Sequence, residues 1–274
     1  MFRNNQSPRY LRMLVSGLGK RVAVVRSETE RDTDKRPYSN RPGSLAMPPW
    51  QDLPPDMRDD AVRPYYEHLV RRERDLRIKR LLDVLGAGTM IVLLGWLFVI
   101  LPVLIKLDSP GPVFFRQIRV TQFGREFPIH KFRTMVDRSS ACASQVTVND
   151  DPRITRAGAF MRRYRLDEIG QLIDVLQGNM TLVGTRPEVP EYVREYAPEM
   201  KATLLLPAGV TSTASIMFKD EAQLLTSVED ARRTYIDRIL PAKMRINLED
   251  IREFSIGRDL RIAVETIRAV FGPY

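Results

Sequence analysis

The sequence predicts a mainly helical α+β protein. A re-entrant, membrane-inserted helix precedes a small cytoplasmic domain with a short β-hairpin and amphipathic surface helices. The main observation is Val84–Ile105, a stretch that contains no charged residue. As a helix rising about 1.5 Å per residue, it is just long enough for a bilayer core of roughly 30 Å. The second observation is that short strand-like runs and turn residues alternate with helix-period patterns downstream. A buried core helix is the alternative for Val84–Ile105, but its all-round apolar surface disfavours that alternative.

Composition divides the 274-residue chain into three parts. Residues 1–64 are rich in arginine, serine and proline without sustained apolar periodicity, which predicts a disordered extension. Residues 65–107 form the juxtamembrane and membrane-inserted helix, and residues 108–274 form the cytoplasmic domain. Within the extension, Leu11–Val25 is mildly apolar, but cations interrupt it and no cleavage site is clear. A signal peptide is therefore not predicted.

Basic residues on both sides of the apolar stretch argue against a single crossing. They precede it at Arg71, Arg72, Arg74, Arg77, Lys79 and Arg80, and follow it at Lys106, Arg116, Arg119 and Arg125. Because cytoplasmic flanks carry an excess of cations, a helix that enters, breaks and returns to the same face satisfies both flanks. Gly95 and Pro102 are the available helix breakers. The sequence alone leaves open whether the segment re-enters or spans.

The charge balance narrows the function classes. A formal net charge of +9 and a pI near 9.8 predict an anionic partner, which is a nucleic acid, an anionic membrane surface or a phosphorylated substrate. No nucleic-acid-binding module is evident, and a non-catalytic membrane-anchored scaffold leaves the acidic residues described next unexplained. The single cysteine, Cys142, excludes an internal disulfide and a multi-cysteine zinc site and fits a reducing cytoplasm. The two histidines, His68 and His130, do not suffice for a His-rich metal site.

Arg162–Pro187 carries the residues best suited to chemistry. It predicts a helix whose packed face comprises Leu166, Ile169, Leu172, Ile173 and Leu176 and whose available face comprises Asp167, Glu168, Gln171 and Asp174. Gly178 can end this helix, and Arg186 lies in the turn after the next apolar run. Arginines at a helix N-terminus can hold an anion, and a carboxylate there can ligate a divalent metal that bridges to it. On the local pattern alone, acids favoured by the helix dipole are the commoner explanation.

A β-hairpin precedes this stretch, with strands Val113–Val120 and Glu126–Phe132 joined by a turn at 121–125. Lys131 and Arg133 lie on the same side of an extended segment because alternate side chains point the same way. Two such cations could contact phosphate. The alternative, which is the commoner case, is that they form the solvated face of an edge strand.

Two further helices are predicted near the C-terminus, at Glu221–Asp237 and Pro241–Ile267. The second mixes apolar residues with arginines. Such a helix lies on an anionic membrane surface or packs against the domain with a solvated basic face, and the sequence favours neither alternative.

Ordered motifs extend from about Lys79 to the C-terminus. They are KRLLD, KLDSPGPVFFRQIRV, HKFRTM, DPRITRAGAFMRRYRLDEIGQL, GNMTLVGTRP and LPAGVTSTAS, followed by a basic helical tail. In this order they resemble the bacterial sugar transferases, the monotopic polyprenyl-phosphate phosphoglycosyltransferases. The resemblance implies transfer of a sugar-1-phosphate from a nucleotide diphosphate sugar, with UDP the expected nucleotide, to undecaprenyl phosphate. It also implies Mg²⁺, the cytoplasmic face of the bacterial inner membrane, and initiation of exopolysaccharide, capsule, O-antigen or related glycan synthesis. A homo-oligomer is left open.

The resemblance assigns roles to individual residues. Asp167 is expected to be the nucleophile and a ligand of Mg²⁺, and Glu168 is expected to orient or assist the acceptor. Phosphate and substrate binding is expected from Lys131, Arg133, Arg162, Arg186, Pro187 and Thr211.

Three departures from the family pattern affect these expectations. Gly95-Trp96 stands where family members usually have Ser-Pro in the membrane helix, so the break is expected to be shifted or shallower. Thr185 replaces the first proline of a Gly-Pro-Arg-Pro turn, which loosens the residue before it. Pro207–Ser212 replaces a Pro-Gly-Ile-Thr-Gly pattern, which leaves the identity of the donor sugar open.

Overall fold

The computed structural model describes residues 43–136, 151, 153–219 and 232–271. Its α-helices are α1 (Arg63–Arg71), α2 (Glu73–Leu94), α3 (Leu97–Asp108), α4 (Arg156–Arg163), α5 (Gln171–Gln177), α6 (Pro190–Val193), α7 (Thr213–Met217), α8 (Leu240–Arg252) and α9 (Ile256–Phe271). Its strands are β1 (Phe114–Phe115), β2 (Ile118–Val120), β3 (Glu126–Pro128), β4 (Lys131–Phe132), β5 (Met180–Val183) and β6 (Ala208–Thr211). The 3₁₀ turns include Leu166–Glu168 and Pro198–Leu205, and Tyr235–Ile239 is π-helical. The predicted mainly helical α+β class is confirmed.

The apolar segment is broken into two helices. Among the described residues, no single helix has the length and hydropathy to cross a bilayer, whereas α2 and α3 meet that test together with a 60° bend between them. The break falls at Gly95 and Trp96, and Pro102 lies inside α3. A Cβ atom at Gly95 would lie 2.9 Å from the Ile91 carbonyl oxygen. Of the two predicted breakers, the structure therefore uses the glycine.

The KRLLD motif docks the first half of α2 onto the domain. Lys79 Nζ donates to the last carbonyl of β5 at 2.7 Å and pairs with Asp259 of α9 at 2.6 Å. Arg80 donates to two carbonyls at the C-terminal end of α5. Asp83 accepts from the Thr181 hydroxyl at 2.6 Å. These charge-assisted bonds hold the apolar helix at a fixed place on the domain.

The predicted hairpin forms, but it is divided into two short antiparallel ladders. β2 pairs with β3 next to the turn, and β1 pairs with β4 further out. The turn places Phe123 and Gly124 in the left-handed region, with φ values of 55° and 72°. Phe127 and Ile129 pack among residues of α2, α5 and β5, and Phe132 packs among residues of α3 and α4. The hairpin therefore fills the space between the two arms of the bent pair.

A parallel two-stranded sheet follows α5. Gly178 ends α5 with a φ of 79°, as predicted, and β5 then pairs with β6. The two strands approach so closely at their ends that a Cβ atom on Gly209 would lie 2.1 Å from the Gly184 carbonyl oxygen. Glycine is required there because any side chain would push the strands apart.

The N-terminal extension differs from the expectation of disorder for residues 1–64. Residues 1–42 lie outside the described residues, but the segment from 43 onward packs against the main core. Leu45, Leu53, Met57 and Val62 are buried there. Prolines at 49 and 54 each precede a short 3₁₀ turn, so isolated apolar side chains reach the core without a sustained helical or strand-like period.

The two predicted C-terminal helices have different outcomes. Most of Glu221–Asp237 lies outside the described residues, and its part from residue 232 onward is helical. Pro241–Ile267 is two helices, α8 and α9, separated at 253–255 rather than one. α8 packs into the main core, whereas Leu260, Val264 and Ile267 on α9 are exposed.

Candidate active site

A sharp change of chain direction delivers the acidic pair. α4 ends at Arg163, and Arg165 then adopts a left-handed conformation with a φ of 56°. The 3₁₀ turn Leu166–Glu168 follows, and α5 begins only at Gln171. The prediction that Asp167 lies in the first turn of a continuous helix is therefore wrong. A left-handed non-glycine residue is costly, and such strain is found mostly where function needs a particular geometry.

The polar face of this region is the buried one. Asp167 and Glu168 are 2% and 9% exposed, and Gln171 and Asp174 are also buried. Leu176, which was assigned to the packed face, is 40% exposed. The assignment of an available polar face is therefore wrong, because the hairpin residues from 130 onward pack against that side.

Asp167 has one paired and one unpaired oxygen. Its Oδ2 lies 2.9 Å from Lys131 Nζ, at the start of β4. Its Oδ1 is buried and has no hydrogen-bond partner among the described residues. A buried carboxylate oxygen without a partner is costly in free energy, so this atom is suited to receive a ligand.

Glu168 is held by several cations at once. Arg186 contacts both carboxylate oxygens, at 2.5 and 3.1 Å. Arg165 and Lys131 lie 3.4 and 3.6 Å from the same carboxylate. Burial alone would raise the pKa of Glu168, but the charges of Arg186, Lys131 and Arg165 outweigh it and hold that pKa well below its ordinary value. Glu168 is therefore ionised at neutral pH.

The other two predicted cations do not join this cluster. Arg133 is buried and donates to the Pro110 carbonyl at 2.8 Å and to the Ser109 carbonyl at 2.6 Å, so it fastens the loop after α3. Arg162 lies on α4 near Asp151, whose pKa is lowered by its bonds to Arg153 and, to a smaller extent, by Arg162.

Pro187 and Thr211 support the turn that carries Arg186. The Thr211 carbonyl accepts from the Gly184 backbone N–H at 2.8 Å, and its hydroxyl lies 2.8 Å from the Thr266 hydroxyl of α9. The Pro187 carbonyl accepts from Arg119 Nη1 at 3.0 Å. Both residues therefore bond to the chain around Arg186 mainly through their backbone carbonyls, and neither contacts the carboxylates in these bonds.

Two functional candidates were missed by sequence reasoning. Arg119 sits behind the Arg186 turn, where burial lowers its pKa and Glu188 opposes that effect. His130 and Asp174 form a buried pair directly beside Lys131. The alternation of side chains along the hairpin could have assigned Arg119 to one face of the hairpin. No local pattern, however, links residue 130 to residue 174.

A family model described as bacterial sugar transferase matches residues 74–273. The chain belongs to the bacterial sugar transferase family. The resemblance inferred from the ordered motifs is thereby confirmed, over the span that begins just before the KRLLD motif.

Similar proteins include enzymes with related names. A UDP-N-acetylgalactosamine-undecaprenyl-phosphate N-acetylgalactosaminephosphotransferase of Aeromonas hydrophila is 35% identical over 196 residues, which cover 70% of this chain and 43% of that protein. An undecaprenyl-phosphate glucose phosphotransferase of Komagataeibacter xylinus is 36% identical over 203 residues, covering 72% and 36%. A UDP-glucose:undecaprenyl-phosphate glucose-1-phosphate transferase of Caulobacter vibrioides is 32% identical over 236 residues, covering 85% and 83%. The chain thus spans less than half the length of the first two relatives.

The acidic residues of this sugar transferase fit Mg²⁺ only in part. Within the described ranges, no group of three or more His, Cys, Asp or Glu residues could enclose a metal ion. Mg²⁺ is, however, commonly bound through one or two carboxylates together with substrate phosphates. The carboxylate of Asp167, with one oxygen unpartnered among the described residues, is a ligand of the required kind.

Proposed function

We propose that this sugar transferase moves a sugar-1-phosphate from a nucleotide diphosphate sugar, most simply a UDP-sugar, to undecaprenyl phosphate. The observation that carries the proposal is a buried carboxylate with one unpartnered oxygen inside a cluster of cations. The names of the three relatives support both the acceptor and the sugar-phosphate donor. Transfer to this acceptor would initiate the synthesis of an exopolysaccharide, capsule, O-antigen or related glycan.

The first half-reaction uses Asp167 as the nucleophile. Its Oδ1 attacks the phosphorus that bears the sugar, a bond forms between oxygen and phosphorus, and the bond to the nucleoside monophosphate breaks. The nucleoside monophosphate leaves, and the phosphosugar stays on the enzyme as an ester of Asp167. Lys131 Nζ lies 2.9 Å from Asp167 Oδ2 and is placed to neutralise phosphate oxygens of the diphosphate.

The second half-reaction returns the enzyme to its starting form. A phosphate oxygen of undecaprenyl phosphate attacks the same phosphorus, and the bond from phosphorus to Asp167 breaks. The products are undecaprenyl diphosphate sugar and free Asp167. Glu168 is kept ionised beside Arg186, so it orients the acceptor or the Arg186 guanidinium rather than donating a proton.

Mg²⁺ is the cofactor we propose for this site, with Asp167 as its protein ligand. When bound to a diphosphate, a divalent cation reduces the charge repulsion that an attacking carboxylate meets and stabilises the charge of the departing phosphate. The cations of the chain act in the same direction. Lys131, Arg165 and Arg186 surround the carboxylates and offset the negative charge that two substrates bring.

We further propose that the bent pair α2–α3 inserts into the inner membrane and that the domain lies on its cytoplasmic face. Large apolar side chains are exposed near the bend and at the end of α3, with Val92 82%, Trp96 60% and Leu107 81% exposed. Exposed apolar surface of this extent marks a membrane or partner interface, and the basic flanks favour lipid at the cytoplasmic side. Because α9 also exposes apolar side chains, we propose that it contacts the same membrane surface.

The decisive experiment separates the two half-reactions. Purified enzyme with Mg²⁺ and a panel of nucleotide sugars, but no undecaprenyl phosphate, is expected to release about one equivalent of nucleoside monophosphate and to gain the mass of the phosphosugar. Asp167→Asn is expected to lose both events, because a neutral amide is a poor nucleophile. Glu168→Gln is expected to form some adduct but to lose turnover.

The adduct is located by mass spectrometry of peptides. An adduct on another residue, with Asp167→Asn still active, would favour direct transfer between the two bound substrates. A non-catalytic membrane scaffold predicts no nucleoside monophosphate with any donor.

A further inference from the structure

A buried histidine–aspartate pair joins the hairpin to α5. The backbone N–H of His130 donates to Asp174 Oδ2 at 2.9 Å, and the His130 Nδ1 lies 2.7 Å from Asp174 Oδ1. Because an ionised carboxylate only accepts, the histidine carries a proton on Nδ1 in this pair. Both oxygens of one carboxylate are therefore used to hold a single residue.

The pair is largely shielded from solvent. Asp174 is 0% exposed, and the side chain of His130 is 13% exposed. Gly170, one turn before Asp174, packs closely against the backbone of His130, since a Cβ atom at Gly170 would lie 2.8 Å from the His130 carbonyl oxygen. A buried carboxylate is costly unless it is paired and hydrogen-bonded, so the two bonds to His130 are specific rather than incidental.

His130 directly precedes Lys131, the cation that contacts Asp167. Lys131 follows His130, and its Nζ lies 2.9 Å from Asp167 Oδ2 and 3.6 Å from Glu168 Oε1. β4 has only two residues, and among the described residues its ladder partner is β1, so its own ladder gives it little rigidity. The two hydrogen bonds to Asp174 tie the backbone just before Lys131 directly to α5, in addition to the packing of Ile129 and Phe132.

We infer that His130 and Asp174 are positioning residues for the transfer reaction: through two bonds to one residue they fix the backbone from which Lys131 reaches Asp167. This inference rests on the proposed function for its effect on turnover. The inferred tie itself is independent of that function, because it concerns only where Lys131 lies. Displacement of a catalytic contact by about 1 Å can reduce turnover by 100-fold, so a small shift of β4 is sufficient.

The first test measures the position of Lys131 without any substrate. Lysine acylation in purified enzyme, quantified by peptide mass spectrometry, reports how well each amine is protected. Asp174→Ala is expected to raise the labelling rate of Lys131 by about 5-fold or more, because the ammonium is no longer held against the carboxylates. Val175→Ala, at a fully buried position on the same helix, removes buried volume but leaves both bonds from Asp174 to His130 in place; it is the matched control and is expected to change the labelling rate by less than about 2-fold.

The second test measures the chemical step. Asp174→Ala is expected to slow the release of nucleoside monophosphate by about 10-fold or more, whereas Val175→Ala with a similar loss of thermal stability keeps a rate near that of the parent enzyme. Asp174→Asn is expected to rescue the rate, because its amide oxygen can accept from the His130 backbone N–H and its amide nitrogen can donate to Nδ1 when the imidazole carries its proton on Nε2. If Asp174→Ala does not fold, Asp174→Leu, which has the same branched shape, takes its place.

The outcomes distinguish the two proposals. Unchanged Lys131 labelling in a folded Asp174→Ala enzyme overturns the positioning role, whatever the activity. Equal losses of rate in Asp174→Ala and Val175→Ala also overturn it, since that result indicates general destabilisation. Raised labelling in Asp174→Ala, together with no nucleoside monophosphate from the parent enzyme, supports the tie and refutes the proposed function instead.

Discussion

Replacing Arg186 by alanine should expose how the buried carboxylate of Glu168 is stabilised. The Arg186 side chain is 30% exposed and that of Glu168 is 10% exposed, and two hydrogen bonds join them. Removing one member of a buried ion pair costs about 3–5 kcal/mol, because the other charge is left uncompensated. Lys131 and Arg165 remain within 3.6 Å of Glu168, so we expect the lower end, about 3 kcal/mol. For a chain of this size that corresponds to a fall in Tm of about 6–12 °C.

The loss should depend on pH in a defined direction. In the parent protein the pKa of Glu168 lies well below its ordinary value of 4.5, so its contribution to stability is fully present above pH 4.5 and is lost as the pH falls through the lower pKa. Loss of Arg186 removes the largest of the charges that oppose burial, so the pKa of Glu168 rises from its value in the parent protein. The difference in Tm between parent and Arg186→Ala should therefore be largest at neutral pH and should narrow as the pH falls through the pKa of Glu168 in the variant toward its lower pKa in the parent.

Differential scanning calorimetry or fluorimetry of the detergent-purified enzyme at several pH values measures this difference. Arg165→Ala is the matched control, since Arg165 contacts the same carboxylate at 3.4 Å but its side chain is 43% exposed, and it should cost no more than about 1 kcal/mol. Adding Glu168→Gln to Arg186→Ala should recover part of the lost Tm. Equal effects of the two arginine variants, or no recovery in the double variant, would refute the assignment of a buried, Arg186-stabilised charge.

Two further predictions concern the frame of the site. Gly158→Ala should lower Tm by several degrees, because its Cβ would lie 2.1 Å from the Thr134 carbonyl oxygen. Gly88→Ala, whose Cβ would have no atom within 4 Å, should leave Tm unchanged or raise it. Equal shifts in Tm for the two variants would contradict this prediction. Cysteines introduced near Arg72 and near Arg125 in a cysteine-free background should react with an impermeant maleimide only in inside-out vesicles, because cations flank both ends of the apolar segment. Labelling of either site in intact cells would show that the helix pair spans the membrane instead of re-entering it.

The carboxylates and two of their cations could be predicted from sequence, because they lie in ordered motifs. Lys131, Asp167, Glu168 and Arg186 form one cluster as the resemblance implied. Arg133 could not be assigned in this way. Strand alternation places Lys131 and Arg133 on one side, but it does not say what that side meets. The answer depends on the loop at 109–111, where the absence of a side chain on Gly111 leaves room for the Arg133 guanidinium.

The polar face of α5 was mispredicted for a related reason. Helical periodicity assumes that polar side chains face water, and it identifies the packed side correctly only where the partner is apolar. Here the partner is the hairpin, whose backbone N–H at residue 130 and ammonium at residue 131 need carboxylates. Asp174 and Asp167 supply them and become buried in doing so. Such pairings across more than thirty positions leave no local signal.

The two helices of the bent pair, α2 and α3, contact opposite sides of the site. On the first arm, Lys79 and Asp83 are bonded to β5, whose end leads into the turn of Arg186. On the second arm, Asp108 at the end of α3 accepts from the Ala157 N–H at 2.9 Å and so caps α4, which leads through the left-handed residue to Asp167. Arg186 and the acidic pair are therefore supported from opposite sides of a 60° bend. Because each arm supports a different side of the site, we expect a change of that angle to move α4 relative to β5 and to alter the distance from Arg186 to Glu168. The geometry of the break is thus part of the geometry of the site, although it lies in a segment that carries no charged residue.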